Sequence, residues 1–428
     1  MKKFWKVLAS TLVFPAILSG CAPKAEVKGG NLTDMKPVEE VIAAASGDAL
    51  TGCKSVGKFV TPFYETQIQY DEGLFLLENA DGSADEIKLL FPIAKVLEVR
   101  SNGLNIVYTE GEDYTVTADG KLKITDDSAI KAMKRSEFFL PDDAKADFLY
   151  NEKAGKDAGK KPVTDKDLLY PYRYAVTYIR ETVYAGFVPE NKSGKLGKLN
   201  AKIGNGDKLN LLYFGDSIGT GAGASGEFDK LADLLSAGVA FRTEARTLMR
   251  NASVGGINST DAKLITEGNL SAIREDFRNS ATASHNVLEK YAPVTDVAFI
   301  AFGANDCAGN MPSATFEMNI CAVADYLREK NPDVTIIFVT SMNISPKVKK
   351  SAEKGGANLN IYDIERYADV LNGLESEYEN SANADIFRLQ RSLLTTKKWE
   401  DLIADNLNHP CDYMQRVYVQ GIIATMGI

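Results

Sequence analysis

Two patterns of apolar and polar positions divide the chain. Between about residues 56 and 188 apolar residues alternate with polar ones, most clearly in Tyr114-Thr-Val-Thr-Ala118 and Lys121-Leu-Lys-Ile-Thr125. A period of two places Tyr114, Val116 and Ala118 on one side of a strand, and Leu122 and Ile124 on one side of the next. Asp119-Gly120 between them supplies the positive φ values of a type I′ turn, so the pair predicts a β-hairpin. Leu89 to Val99 adds strand-like runs around Pro92, and Tyr172, Tyr174, Val176 and Tyr178 alternate again. Lys153 to Lys166 reads as a charged loop. Short strands at this spacing predict a β-rich accessory domain over 56–190, of β-sandwich or jelly-roll type.

Residues 191–208 hold five lysines and four glycines and read as a linker. Beyond it the pattern changes. Leu209-Asn-Leu-Leu-Tyr-Phe214, Val297-Ala-Phe-Ile-Ala-Phe302 and Val334-Thr-Ile-Ile-Phe-Val339 are short, nearly continuous apolar runs. Such runs predict strands buried on both faces of a parallel sheet. Helical spacing lies between them: Phe228, Leu231, Leu234 and Leu235 share one face, and Phe316, Ile320, Val323 and Leu327 another. Strand, loop and helix in repetition predict a doubly wound α/β domain over 205–428. Ligands of such sheets bind at the carboxyl ends of the strands. Gly215-Asp216-Ser217 and Gly303-Ala-Asn305-Asp306 both follow strands directly, at that edge.

The amino-terminal segment carries an address. Lys2, Lys3 and Lys6 precede an apolar run from Val7 to Leu18, too short to span a bilayer, so residues 1–20 read as a signal peptide. Its end, Leu18-Ser19-Gly20-Cys21, resembles the lipobox of bacterial lipoproteins, which implies lipid on Cys21 and a membrane anchor in the cell envelope. Residues 21–55, rich in Lys, Gly, Ala and Asp, read as a tether. Cys53, Cys307, Cys321 and Cys411 remain; Cys307–Cys321 is the pairing suggested by nearness in sequence. The net charge of −9 disfavours nucleic acid as a partner. With two histidines in the whole chain, any imidazole chemistry falls to His285 or His409. Histidines this few, without a CxxC motif, imply no zinc site.

A serine nucleophile needs an exposed tight turn, a base for its proton and donors for the oxyanion. Ser217 follows a buried strand and precedes Ile-Gly-Thr-Gly-Ala-Gly. Taken alone it reads more often as a turn residue. Three further segments change that. Asn251-Ala-Ser-Val-Gly255-Gly256 offers glycine amides, Gly303-Ala-Asn305-Asp306 a side-chain amide, and Asn408-His409-Pro410 a late histidine before a final helix. In order and spacing these segments resemble the SGNH (GDSL-type) hydrolases over about 205–428. The resemblance implies a flavodoxin-like sheet, Ser217 as nucleophile and His409 as general base. It implies an oxyanion hole from the Ser217 N–H, the Gly256 N–H (Gly255 if the doubled glycine shifts the register) and the Asn305 side chain. Asp216 and Asp306 read as loop-organising carboxylates.

The chain departs from that family at the acid. The family places Asp three residues before the histidine; here that position is Asn406, with Asp405 one further back. Either Asp405 reaches the imidazole through a shifted turn, or Asn406 or a backbone carbonyl orients it. His285 reads as a surface residue. Trp399 and Tyr413 read as core or as stacking surfaces for sugar rings. Gly215-Asp-Ser217-Ile-Gly219 also satisfies GxSxG, but no histidine precedes Ser217, which excludes the His-Gly oxyanion loop common among α/β-hydrolase esterases. The same fact excludes the chymotrypsin order. The expected function is a secreted, lipid-anchored serine esterase that removes acetyl groups from a polysaccharide or oligosaccharide, without metal or organic cofactor. The alternatives are a lipase or general short-acyl esterase, and a non-catalytic surface lipoprotein that binds glycans.

Overall fold

The structure, a computed structural model, describes residues 31–428 apart from 46–49, 51–54, 80, 85, 227–228 and 357–363. The expected leader, Cys21, Cys53 and Phe228 lie outside the described residues. The later part of the expected tether is packed on the fold. Leu32 N–H donates to Tyr64 O at 2.8 Å, and the helix Val38–Ala44 buries Val41 against Ile68 and Ile179.

The amino-terminal part is built on strands β1 (Ile68–Phe75), β2 (Ile93–Ser101) and β3 (Val107–Tyr108). It also holds β4 (Tyr114–Val116), β5 (Leu122–Ile124), β6 (Phe148–Tyr150) and β7 (Arg173–Arg180). β1, β7, β2 and β3 form an antiparallel sheet in that order. β7 is central, and all 8 of its residues are buried. The alternating Tyr174, Val176 and Tyr178 therefore mark one covered face, while Ile179 on the other meets the helix Val38–Ala44. The hairpin β4–β5 pairs Tyr114 with Ile124 and Val116 with Leu122. Its turn differs from the expected type. Gly120 alone takes positive φ (72°), and its N–H donates to Thr117 O at 3.0 Å, so Asp119 needs no left-handed conformation.

The second part holds a parallel sheet of β8 (Leu209–Gly215), β9 (Thr247–Asn251), β10 (Val297–Ala301), β11 (Thr335–Val339) and β13 (Ser381–Ala384). β12 (Val348–Lys350) lies outside it and pairs with β6. The order β9-β8-β10-β11-β13 is the flavodoxin-like arrangement, with its switch point between β8 and β10. Leu211, Tyr213, Phe299 and Ile337 face one core with the helices Leu231–Thr243 and Asp412–Met426. Leu212, Phe214, Ala298 and Ile300 face the other, with Ala262, Leu288, Phe316 and Ile320. The stretch expected as a linker is itself ordered. It forms the helix Gly197–Gly204, buries Leu196 and Leu199, and sends Lys195, Lys198 and Lys202 to Glu375, Asp333 and Asp296.

Cys307, Cys321 and Cys411 are free thiols, which corrects the expected Cys307–Cys321 pairing. Cys307 is buried in the short helix Ala304–Ala308, whereas Cys321 lies in the helix Ser313–Lys330, where its carbonyl accepts from Tyr378.

The two parts share one apolar core: Leu74, Val176 and Tyr178 cluster with Met414, Val417 and Tyr418. Gly73 lies so close to Tyr413 that an added Cβ would sit 2.6 Å from the tyrosine Cβ. The seam also holds a buried ion pair, Lys397 to Glu72 at 2.6 Å, with the ammonium donating to Gly73 O at 2.8 Å. Glu72 in turn accepts from Tyr178 Oη and Leu90 N–H. Removing one partner of a buried, hydrogen-bonded pair strands the other charge, so Lys397→Met is expected to destabilise the fold by about 3–5 kcal/mol. Urea unfolding checks this. Adding Glu72→Gln should recover part of the loss, because it removes the stranded charge.

Candidate active site

Ser217 stands in the turn that follows β8, at the carboxyl edge of the sheet and beside the switch point. The turn is organised locally. Asp216 Oδ1 accepts from Ile218 N–H at 2.9 Å, Ala222 N–H donates to Ser217 O at 3.0 Å, and Asn251 Nδ2 donates to Gly219 O at 2.7 Å. Asn251 ends β9, so the strand beside the nucleophile also braces its loop. Gly223 (φ 90°) brings this loop against the histidine segment, where an added Cβ would collide with Pro410 O.

His409 comes from a hairpin-like loop ahead of the last helix. Ile403 bridges Pro410, Ala404 N–H donates to His409 O at 2.7 Å, and Cys411 N–H donates to Leu402 O at 3.0 Å. Inside the loop, Asp405 Oδ1 accepts the N–H groups of Leu407, Asn408 and His409 at 3.0–3.3 Å. Its Oδ2 bonds His409 Nδ1, while His409 Nε2 lies 2.9 Å from Ser217 Oγ. The structure thus joins serine, imidazole and carboxylate in one chain of hydrogen bonds. The carboxylate is Asp405, four residues before the histidine. Asn406 occupies the usual acid position but has φ 59° and turns its amide away, donating to Val163 O at 2.8 Å.

The electrostatics follow from burial and pairing. Burial works against a charge on His409, but the hydrogen bond and charge of Asp405, with Asp216 behind them, outweigh it and hold the imidazole above its ordinary value. Burial likewise favours protonation of Asp405, yet its bond to His409, the histidine's charge and the loop N–H groups bring its carboxyl below the usual range. Asp216, 2% exposed, is pushed up to about 6 by burial.

One of the segments expected to supply donors adjoins Ser217. Gly255 is beside it, an added Cβ lying 3.8 Å from Ser217 Cβ. Gly256 takes φ 80° and backs onto Phe277. Among the described residues, the backbone N–H groups of Ser217, Gly255 and Gly256 have no acceptor. Asn305 Nδ2 donates one hydrogen to Ile257 O at 2.8 Å, and its amide carries a second. Asp306 is buried and accepts from Ser259 N–H at 3.0 Å and Ser259 Oγ at 2.6 Å, which ties the Asn305 loop to the glycine loop. His285 is remote from this group: it lies in the helix Arg278–Tyr291 with Nδ1 2.7 Å from Ile265 O. Tyr413 is buried in the seam and Trp399 is half-buried against the main core.

An acceptor–donor relay ending on an accessible hydroxyl, with unused N–H groups beside it, is the constellation needed for acyl transfer. Comparison with curated proteins returns no match. Among solved structures, TesA is 17% identical, with a TM-score of 0.35 over 50% of this chain and 96% of that one. A two-domain esterase (CEX) active on acetylated mannans, crystallised with mannopentaose, is 16% identical, with a TM-score of 0.37 over 55% of this chain and 54% of that one. A member of the lipolytic protein G-D-S-L family from Veillonella parvula is 14% identical, with a TM-score of 0.35 over 49% of this chain and 95% of that one. Residues 213–417 match the GDSL-like lipase/acylhydrolase family, and the span includes Ser217, Gly256, Asn305, Asp405 and His409. Residues 213–417, just under half of the chain, are thus a GDSL-like lipase/acylhydrolase domain, the domain of a serine ester hydrolase.

Proposed function

We propose that the protein is a secreted, lipid-anchored esterase that removes acetyl groups from a polysaccharide or oligosaccharide. The observation that carries the catalytic part is the hydrogen-bonded run Ser217 Oγ–His409–Asp405. His409 takes the proton of Ser217 as its oxygen attacks the ester carbonyl. The N–H groups of Ser217 and Gly256 and the Asn305 amide receive the negative charge that develops on the carbonyl oxygen. His409 then protonates the leaving alcohol, and water, deprotonated by the same ring, releases the acid and restores Ser217.

Two features support the choice of substrate. The amino-terminal lysines, apolar run and Cys21 fit export and anchoring at a surface. Ser217 is half-buried at the surface, where its hydroxyl is open to an ester carried on a large alcohol. A hollow lined by Asn102, Tyr170, Gly223 and Asp412 lies beside the histidine loop. The test compares acetate released from acetylated xylan and other acetylated glycans with release of butyrate and longer acids from simple esters. Acetate release from the glycans at the higher kcat/KM is expected; preference for long chains would replace this reading with a lipase. Asn305→Ala is expected to lower kcat by on the order of 10²–10³-fold with little change in KM, because its donor acts on charge present only in the transition state. Steady-state kinetics on an acetyl ester measure both.

A further inference from the structure

The loop that carries Asp405 and His409 is held from outside the hydrolase domain. Arg173, the first residue of β7, is 5% exposed and stacks its guanidinium 5.1 Å from the Phe75 ring centre. It donates to Glu400 O at 2.9 Å and to Ile403 O. These carbonyls belong to the end of the short helix Trp399–Leu402 and the residue that caps it, which otherwise lack intrahelical donors. Ile403 is also the residue that bridges Pro410, so Arg173 grips the base of the loop two residues ahead of Asp405. At the tip, Asn406 Nδ2 reaches Val163 O, again in the amino-terminal part. On the exit side, Asn102 Nδ2 donates to Asp412 Oδ2 at 2.7 Å, and the same carboxylate accepts from Ser225 N–H at 2.8 Å.

We propose that Arg173 and Asn406 are positioning residues: through them the amino-terminal part of the chain sets the Asp405–His409 geometry. This rests on the reading of Ser217, His409 and Asp405 as the catalytic relay. The physical reason lies in the loop's own construction. Its internal ties are a single bridge and the fan of N–H groups on Asp405 Oδ1. That fan fixes the carboxylate relative to the loop but not the loop relative to Ser217. Within the hydrolase domain Ser345 N–H donates to Leu407 O at 2.9 Å, and Gln415 Nε2 reaches Ala222 O and Pro410 O; fixed cationic and amide donors from the amino-terminal part add the ties at the base and the tip. The chain has thereby turned the usual acid position into a tether and moved the acid one residue earlier. The charged groups acting on the His409 ring are Asp405 on its own loop and Asp216 from the turn after β8. Lys347 pairs with Glu400 at 2.7 Å, and Asp412 lies on the exit side.

The test uses the full chain with Arg173→Met, Arg173→Lys and Asn406→Gly. Glycine keeps the positive φ of position 406 and deletes only the amide. Loosening the loop by a fraction of an ångström to an ångström should lower kcat on an acetyl ester by on the order of 10²-fold for Arg173→Met, with KM within about threefold. Weaker contact with Asp405 removes the influence that raises His409, so the acidic limb of kcat should move to lower pH in Arg173→Met and Asn406→Gly. Arg173→Lys should recover part of the rate, since an ammonium reaches one carbonyl. Folded Arg173→Met and Asn406→Gly with wild-type kcat and an unmoved limb would overturn the proposal. If Arg173→Met does not fold, Asn406→Gly decides alone by the same two readouts. Fluorophosphonate labelling of Ser217 keeps the underlying reading separate: wild type unlabelled at Ser217 contradicts the relay, whereas labelling that is slowed only in the tether variants supports the positioning role.

Discussion

Ser217→Ala is expected to lower kcat on a simple acetyl ester by roughly 10⁶-fold, leaving KM and thermal stability close to wild type. The reasoning starts from geometry. Ser217 Oγ is the hydroxyl 2.9 Å from His409 Nε2, and without it the base has no nucleophile to activate. The side chain is half-exposed and packs in neither core, so its loss removes chemistry rather than structure. His409→Ala should fall nearly as far, and the double variant hardly further, because the two residues act as one unit. The small rate that survives in each comes from the N–H groups of Ser217 and Gly256 and the amide of Asn305, which still polarise the carbonyl for attack by water. Acetate release by the three variants, with circular dichroism to confirm folding, measures this. An alanine variant with wild-type turnover would place the chemistry elsewhere.

The second large effect belongs to Asp405→Asn. Its Oδ1 can keep the N–H groups of Leu407, Asn408 and His409, so the loop should survive. Its Oδ2, however, becomes an amide that offers a donor to His409 Nδ1, favouring the tautomer that leaves no lone pair toward Ser217. A loss in kcat on the order of 10⁴-fold follows, by comparison with other triads. The pH dependence has a definite sign. The base must be neutral, and in the wild type His409 is held above its ordinary value, about 6.5, so activity is lost on acidification from above that pH. Asparagine removes that upward influence while burial still disfavours the cation, so the acidic limb should move to lower pH. Stability follows both partners. Asp405, lowered in the fold, stabilises above its unfolded value and ceases to as pH falls through its folded one. His409, raised in the fold, stabilises below about 6.5 and ceases to as pH rises through its folded value. The difference in Tm between wild type and Asp405→Asn should therefore be largest between about pH 4 and 6.5. A Tm difference that grows steadily above pH 7 would contradict the pairing.

Much of this site is legible in the chain because its parts stand where strands end. Leu209–Phe214 and Val297–Phe302 are apolar enough to be read as β8 and β10, and each is soon followed by a candidate site residue, Ser217 or Asn305. The scarcity of histidine did as much, since it left only His285 and His409, and the Asn408-His409-Pro410 segment before the last helix favoured the second. What escapes is what depends on tertiary context. β9 and β13 carry Arg, Asn and Ser in place of apolar runs, and they become strands by pairing with β8 and β11 at the sheet edges. The linker-like run at 191–208 is rich in lysine because its helix faces carboxylates of the hydrolase domain. The acid could not be fixed from spacing alone, for a left-handed Asn406 is what brings Asp405 under the ring. Arg173 carries no local signal at all: its partners, Glu400 and Ile403, lie more than two hundred positions away and present only backbone carbonyls.

If acyl groups pass through Ser217, the serine carries them covalently during turnover. Rapid quenching of the enzyme with p-nitrophenyl acetate, followed by intact-mass measurement and peptide mapping, reads this out. One acetyl group on the peptide that contains Ser217, absent in Ser217→Ala and accumulating in wild type before steady state, is the predicted result. Turnover with acetyl on a different residue, or with Ser217→Ala carrying the same adduct at the same rate, would contradict the account.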